Sequence, residues 1–160
     1  INPDDVPRIR KNPQLKLLTQ PGLNFGYLAM NGQKKHFDNL KVRQAMNHAI
    51  NKQALVNAFF AGGTLGMVAK NPMPSTVWGY NNAVTDYDYN PTKAQQLLKE
   101  AGHPNGFEVK LWVMPVSRPY MPQPQRIAEA IQADLKKVGV TSKIVWRAIR
   151  RWCRAVVRAT

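Results

Sequence analysis

The stretch FEVKLWVMPVSRPYMPQPQRIAEAIQADLKKVGVTSKIVW, residues 107–146, decides the fold. Apolar residues alternate with polar ones over 107–114 and again over 140–146, which predicts two strands. Between them, over 125–138, apolar residues recur at three- and four-residue spacing, which predicts an amphipathic helix. This order predicts a right-handed β-α-β unit with parallel strands. The fold class is therefore α/β.

The loop that follows the first strand, MPVSRPYMPQP at 114–124, is where we expect a ligand. Ligands of open α/β sheets bind outside the carboxyl ends of the strands. Four prolines stiffen this loop, so it loses little entropy when a ligand docks. Arg118 lies at its middle, and a guanidinium offers a planar fork of donors that matches a carboxylate. Arg118 is therefore a candidate anchor for a ligand carboxylate, and the alternative is a surface arginine paired with a nearby acid.

Apolar side chains near Arg118 are candidates for a wall of the same pocket. Tyr120 and Met121 follow it in the loop, and Trp112 and Met114 lie on or beside the strand. Aromatic rings and thioethers are common linings of ligand pockets. For Trp112 and Met114 ordinary core packing is the favoured interpretation, so the predicted ligand-binding residues are Arg118, Tyr120 and Met121.

The first 31 residues are expected to form an irregular lead-in and a strand. Prolines recur through residues 1–22, where they remove backbone donors and interrupt helices, and the apolar run 15–18 favours one short strand. Alternating apolar residues over 23–31 favour a second strand.

Three helices are expected between residues 38 and 102. Asp38 is the predicted cap of the first, Asn51 starts the second, and Asn90 followed by Pro91 starts the third. Residues 64–90 form a long connection rich in Asn, Pro, Tyr and Gly, and such connections are usually functional or packed against another part of the protein.

The net charge of +14 is unevenly distributed. Residues 147–160 hold five arginines and neither lysine nor acid, whereas residues 1–146 hold 18 Lys and Arg and all nine acids. Such a tail is either a basic arm that binds phosphates or sequence foreign to the domain, as a frameshift or truncation would produce. The absence of a Gly, Ser or Pro linker before it favours the second interpretation.

Signatures of catalysis, metal binding and membrane insertion are lacking. Phosphate-binding glycine loops and the nucleophile elbow are absent, and the one cysteine, Cys153, excludes a disulfide framework. His36, His48 and His103 have no second ligand at metal-binding spacing, and His48 is expected to be a partly exposed polar residue. We therefore predict no enzyme activity, metal or cofactor. No apolar run is long enough to span a membrane, and the residues after Ile1 lack the pattern of a secretory signal.

Four phrases carry a resemblance to a known family. They are FGYLAMN (25–31), FDNLKVRQAMNHAINK (37–52), YDYNPTKAQQLLKEAG (87–102) and LWVMPVSRPYMP (111–122). In this order they resemble the periplasmic solute-binding subunits of peptide, oligopeptide and nickel ABC importers, the extracellular solute-binding family 5. The phrase MPVSRPY is similar to that of the dipeptide branch, which includes haem- and glutathione-binding relatives. The resemblance covers about residues 1–145 and stops where the arginine tail begins.

The resemblance implies a fragment of a type II periplasmic-binding-protein fold, in which two lobes close on a ligand. Residues 1–31 would be the lead-in and strand from the first lobe and hinge, residues 32–146 a partial second lobe with an incomplete sheet, and residues 147–160 a non-native tail. Arg118 would hold the C-terminal carboxylate of a dipeptide or short peptide. The implied partner is an inner-membrane ABC permease, the implied location is the periplasm, and haem is a possible ligand because relatives bind it. The alternative function is a nucleic-acid-binding domain that uses the Arg-rich tail.

Overall fold

The computed structural model describes residues 1–146, and it combines five α-helices with two strands in this range. In chain order the elements are α1 (Val6–Lys11), α2 (Leu40–Ala49), α3 (Lys52–Phe59), α4 (Pro91–Glu100), β1 (Phe107–Val113), α5 (Pro124–Lys137) and β2 (Val140–Trp146), with a short 3-10 helix at Pro3–Asp5. The predictions made for the tail, residues 147–160, lie outside the described residues.

The predicted β-α-β unit is confirmed. Strands β1 and β2 pair in parallel, with Phe107 opposite Val140 and Val113 opposite Trp146. Helix α5 lies on one face of this pair, where Leu111, Val113 and Val140 are buried. The opposite face is open, because Glu108, Lys110 and Trp112 of β1 and Thr141 and Lys143 of β2 are exposed. Within residues 1–146 the sheet is therefore covered on one side only, whereas parallel sheets are usually covered on both.

The two strands begin at a close contact between glycines. Gly106 precedes β1 and Gly139 precedes β2, and both have positive φ angles, of 72° and 89°. A Cβ on Gly106 would collide with the carbonyl group of Gly139. Only a residue without a side chain at position 106 allows the strands to start side by side in this register.

The main core lies between α2, α4, the end of α5 and the start of β2. Helices α2 and α4 pack against each other along stripes of small and branched residues. The most deeply buried members of the core, each almost inaccessible to solvent, are Val42, Ala49, Ala94, Leu98, Leu135 and Val140. One face of α2, with Val42, Ala45, Met46 and Ala49, therefore belongs to the core.

Asparagine side chains cap the three helices of this region. The side chains of Asn51 and Asn90 accept hydrogen bonds from backbone amides in the first turns of α3 and α4, as predicted. For α2 the prediction was one residue early, because Asn39 and not Asp38 accepts from the amide of Lys41, at 2.9 Å. Asn and Asp cap helices about equally well, so sequence alone does not separate two neighbours.

The strands predicted at 15–18 and 23–31 are wrong within the described chain. Both segments are irregular, because no neighbouring strand supplies the hydrogen bonds that a strand needs. The lead-in also contains the short helix α1, which the prolines were expected to prevent. Pro7 is the second residue of α1, and proline is tolerated in the first turn because the amides there have no helical partner.

Candidate functional site

The proline-rich loop lies at the carboxyl edge of the sheet, as predicted. Because β1 and β2 are parallel and Val113 pairs with Trp146, both strands end at this edge. The loop leaves β1 here and returns at Pro124, the first residue of α5.

Arg118 sits in a tight, hydrogen-bonded turn inside this loop. The Arg118 amide donates to the Met121 carbonyl at 3.1 Å, and the Met121 amide donates back to the Arg118 carbonyl at 2.9 Å. Pro119 and Tyr120 occupy the two central positions of the turn, and proline's fixed φ suits the first of them. The Ser117 hydroxyl donates to the Pro122 carbonyl at 2.7 Å and closes the turn from outside. The backbone that carries Arg118 is thus fixed by three local hydrogen bonds.

Arg118 is exposed and faces no acidic side chain within the described residues. Within residues 1–146 it forms no ion pair and no side-chain hydrogen bond. The neighbouring Arg126 differs, because it donates to the Gln123 side chain at 2.7 Å and lies over the ring of Phe59. The alternative interpretation of Arg118 as half of a surface ion pair is therefore not supported by the described part of the chain.

Tyr120 and Met121 lie beside Arg118 and are both partly buried. Tyr120 faces the lead-in segment, where Gly26 approaches so closely that a Cβ on it would lie 2.9 Å from the Tyr120 carbonyl oxygen. The turn is thus brought against residues that precede α2 by more than ten positions. No sequence pattern predicted this contact, although the small residue at position 26 is consistent with it.

An open cleft of about 690 Å³ lies next to this turn. It lies between the loop, the first turn of α5 and the end of β2, and its lining residues are Pro115, Ser117, Gln123, Pro124, Gln125, Arg126 and Trp146. Ser117 reaches it, whereas Arg118, Tyr120 and Met121 lie at its side and do not line it. The three predicted residues are therefore brought together with one another but not into this cleft.

The predicted core position of Trp112 is wrong. Its side chain lies on the open face of β1 and is 40% exposed. Trp112 alternates with Leu111 and Val113, which are buried, so it points to the uncovered side of the sheet. Met114, at the end of the strand, is partly buried.

The structure also gives each of the three histidines a partner that sequence spacing did not predict. His48 is only 3% exposed, which corrects the predicted partial exposure, and its Nδ1 donates to the Asp88 carbonyl at 2.9 Å. His36 Nδ1 lies 3.2 Å from His103 Nε2. These partners are 40 and 67 positions apart in the chain, a separation that no local spacing rule detects.

Comparison with known proteins identifies the family. The model of the bacterial extracellular solute-binding proteins, family 5, middle region, matches residues 1–147. The chain belongs to this family.

None of the helices in the described residues has the length and apolar character needed to cross a membrane.

Curated family-5 relatives are similar along nearly the whole chain. The dipeptide-binding protein of Escherichia coli K12 is 53% identical over 144 residues, which are 90% of this chain and 26% of that protein. The heme-binding protein A of Haemophilus influenzae is 49% identical over 144 residues, with the same shares of the two chains. This family-5 chain therefore spans about a quarter of the length of the curated relatives it matches.

Solved family-5 structures show the same fold. A dipeptide-binding protein from Pseudoalteromonas sp. SM9913, in complex with Met-Leu, superposes with a TM-score of 0.84 at 33% identity. The match covers 98% of this chain and 30% of that one. The predicted fold class is confirmed: the chain is part of a type II periplasmic-binding-protein fold.

Proposed function

We propose that this chain is the part of a dipeptide-capturing solute-binding protein that holds the ligand's C-terminal carboxylate through Arg118. The observation that carries the proposal has two parts. Local hydrogen bonds fix the backbone of the turn that holds Arg118, and the Arg118 guanidinium has no acidic partner among residues 1–146. A carboxylate accepts two parallel hydrogen bonds from such a group. Similarity to the dipeptide-binding proteins named above supports a peptide as the source of that carboxylate.

Tyr120 and Met121 supply the apolar contacts of the proposed site. Both are partly buried beside the turn, so their remaining exposed surface can contact a ligand side chain without first unpacking. The proposed boundary lies at residue 31, with residues 1–31 from the first lobe and hinge and residues 32–146 part of the second lobe, and the contact of Tyr120 with Gly26 crosses it. Movement of one lobe would then reach the ligand loop directly.

The proposed transport role requires a permease and a compartment. Captured ligand would be delivered to an inner-membrane ABC permease from the periplasm, as is implied by the extracellular family to which the chain belongs. Haem is a second candidate ligand, supported by the 49% identity to a heme-binding protein. Its propionate groups are carboxylates and would bind the same guanidinium.

We also propose that residues 147–160 are foreign to the domain. The family match ends at residue 147, where the run of arginines begins. The nucleotide sequence that encodes Trp146–Thr160 tests this. We expect another reading frame of that sequence to continue the pattern of the family. If instead the tail binds nucleic acid, removing residues 147–160 abolishes binding to DNA at physiological salt.

The experiment that tests the main proposal uses a chimaera. Residues 1–146 replace the aligned segment of the E. coli dipeptide-binding protein, which supplies the remainder of both lobes. Titration with a dipeptide, with the same dipeptide amidated at its C-terminus, and with haem separates the candidates. Tight binding of the free dipeptide alone is expected, and binding of haem alone would replace peptide by haem as the ligand.

A further inference from the structure

Two histidine rings meet on the side of the molecule away from the proline-rich loop. His36 lies in the turn before α2 and His103 in the turn after α4, and 3.2 Å separates His36 Nδ1 from His103 Nε2. Their side chains share an open cleft of about 440 Å³, whose other lining residues are Lys35, Asp38, Asn39 and Ala101. The pair is therefore accessible to a small ligand from solvent.

The two rings are held in place from below. The His36 ring stacks on the Phe107 ring with 4.3 Å between centroids and 12° between planes, and the His103 ring meets the same phenylalanine edge-on at 5.0 Å. The His103 backbone is fixed at both groups, since its amide donates to the Leu98 carbonyl at 2.8 Å and its carbonyl accepts from Gly106 at 3.0 Å. A ligand that needs both nitrogens would find them already close together.

His36 adopts an unusual backbone conformation that brings its ring to this position. Its φ angle is 75°, in the left-handed region that side chains other than those of Asn, Asp and His rarely adopt. Helix capping does not explain this strained conformation, because Asn39 caps α2. The conformation instead places the His36 imidazole over Phe107 and next to His103.

The separation of the nitrogens matches a metal chelate. With metal–nitrogen distances of about 2.0–2.1 Å and tetrahedral angles, two imidazole ligands of one zinc ion lie about 3.3 Å apart. Imidazole is also a preferred ligand of Cu²⁺ and Ni²⁺. Burial lowers the pKa of His36, with further lowering by His103 and Lys35 against an opposing effect of Asp38, and this favours the neutral His36 ring that ligation needs.

We propose that His36 and His103 form a two-histidine chelate for a divalent transition-metal ion, Zn²⁺ or Cu²⁺. No group of three or more metal-ligating side chains occurs within residues 1–146, so water molecules complete the coordination shell. The proton between the two rings in the metal-free state moves to the outward ring nitrogen of its own histidine, so both facing nitrogens donate lone pairs and no net proton is released. The Lys35 ammonium opposes a cation and the Asp38 carboxylate favours it, so the affinity rests on the two imidazoles. This inference is independent of the proposed peptide binding.

The test uses the full chain with Cys153→Ser, which removes the thiol as a competing ligand. Zn²⁺ is titrated by calorimetry, and Cu²⁺ by electron paramagnetic resonance, which counts coordinated imidazole nitrogens. We expect one metal ion per chain and two imidazole ligands. His36→Asn, which tolerates the left-handed backbone, and His103→Gln, which keeps an amide donor near the Nε2 position, are each expected to lower the affinity at least about tenfold.

His48→Asn is the matched control. It removes the third histidine while keeping an N–H that can donate to the Asp88 carbonyl, and it is expected to leave metal affinity unchanged. Circular dichroism and thermal melting establish that each variant is folded, and if His36→Asn is not, His103→Gln carries the comparison with His48→Asn. Affinity that survives in His103→Gln, or a copper spectrum with fewer than two imidazole nitrogens, would overturn the proposal.

Discussion

The buried carboxylate of Asp134 accepts a hydrogen bond from the backbone amide of Asn51, at 3.0 Å and across 83 positions of the chain. The second oxygen of the same carboxylate accepts from the Lys137 ammonium at 2.7 Å. Asn51 is the cap of α3, so Asp134 fixes the start of that helix to the last turn of α5. This polar contact joins the β-α-β unit to the helical part of the described chain.

Asp134→Ala is expected to destabilise the protein by about 1–3 kcal/mol, the cost of leaving a buried donor unsatisfied. The amide of Asn51 loses its acceptor, and Lys137 loses its partner. Denaturant unfolding measures the change. The control is Glu129→Ala on the same helix, whose exposed carboxylate accepts only from Gln125 within the described residues and whose loss should leave stability nearly unchanged.

The β-α-β unit could be predicted from sequence because its signals are local. Alternation over 107–114 and 140–146 and the helical spacing between them require no knowledge of the rest of the protein. The three Asn-capped helices are detectable for the same reason, to within one residue at Asn39. The strand prediction over 23–31 was wrong because alternation gives a strand only where a neighbouring strand exists, and none lies beside this segment in the described chain.

The candidate site was predictable in part. The position of Arg118 in a loop at the carboxyl edge follows from the parallel strands. The structure adds that its turn is closed by hydrogen bonds and that no acidic side chain among residues 1–146 pairs with it. The contacts of Tyr120 with Gly26, of His36 with His103 and of Asp134 with Asn51 join segments separated by many tens of residues. Their geometry comes from tertiary packing, which periodicity and spacing do not encode.

The Lys137 ammonium is expected to titrate at a higher pH than an ordinary lysine. The hydrogen bond and charge of Asp134 raise its pKa, and the Tyr89 hydroxyl adds a smaller contribution. Stabilisation from this raised pKa is present below the lysine pKa of the unfolded chain and is lost as pH rises through the folded value. Because the Lys137 side chain is more than half exposed, solvent screening keeps that stabilisation small.

Side-chain NMR titration of Lys137 measures this shift in matched variants. Asp134→Asn should return the pKa most of the way to its ordinary value, whereas Tyr89→Phe should lower it less. An unchanged pKa in Asp134→Asn would show that the contact does not persist in solution.

Gly106→Ala should destabilise the protein more than Gly102→Ala. Both glycines have positive φ angles, so each substitution costs roughly 1–2 kcal/mol in backbone strain. A methyl group at 106 additionally meets the Gly139 carbonyl, whereas nothing lies within 4 Å of one at 102. We expect an additional loss of about 1–3 kcal/mol for Gly106→Ala, measured by thermal or denaturant unfolding. Equal losses would indicate that the strands do not approach each other here.

The chain alone is expected to bind dipeptides weakly or not at all. It spans about a quarter of its relatives, and the cleft beside the turn is open to solvent. A small ligand is held tightly only when most of its surface is enclosed, which requires both walls of a closing site. Isothermal titration of the isolated chain with a dipeptide measures this, and micromolar affinity would contradict the expectation.

The most direct measurement is a thermodynamic cycle on the chimaera described above, in which Arg118 and the carboxylate of the ligand are each changed singly and together. Binding of a dipeptide and of its C-terminal amide is measured by calorimetry with Arg118 intact and with Arg118→Ala, and Arg8→Ala, at an exposed arginine paired with Asp5, serves as the control. We predict that Arg118→Ala costs about 2–5 kcal/mol for the free carboxylate, the scale for truncating one partner of a buried charge pair, and far less for the amide. Equal losses for both ligands, or no loss for either, would contradict the assignment of Arg118 as the carboxylate anchor.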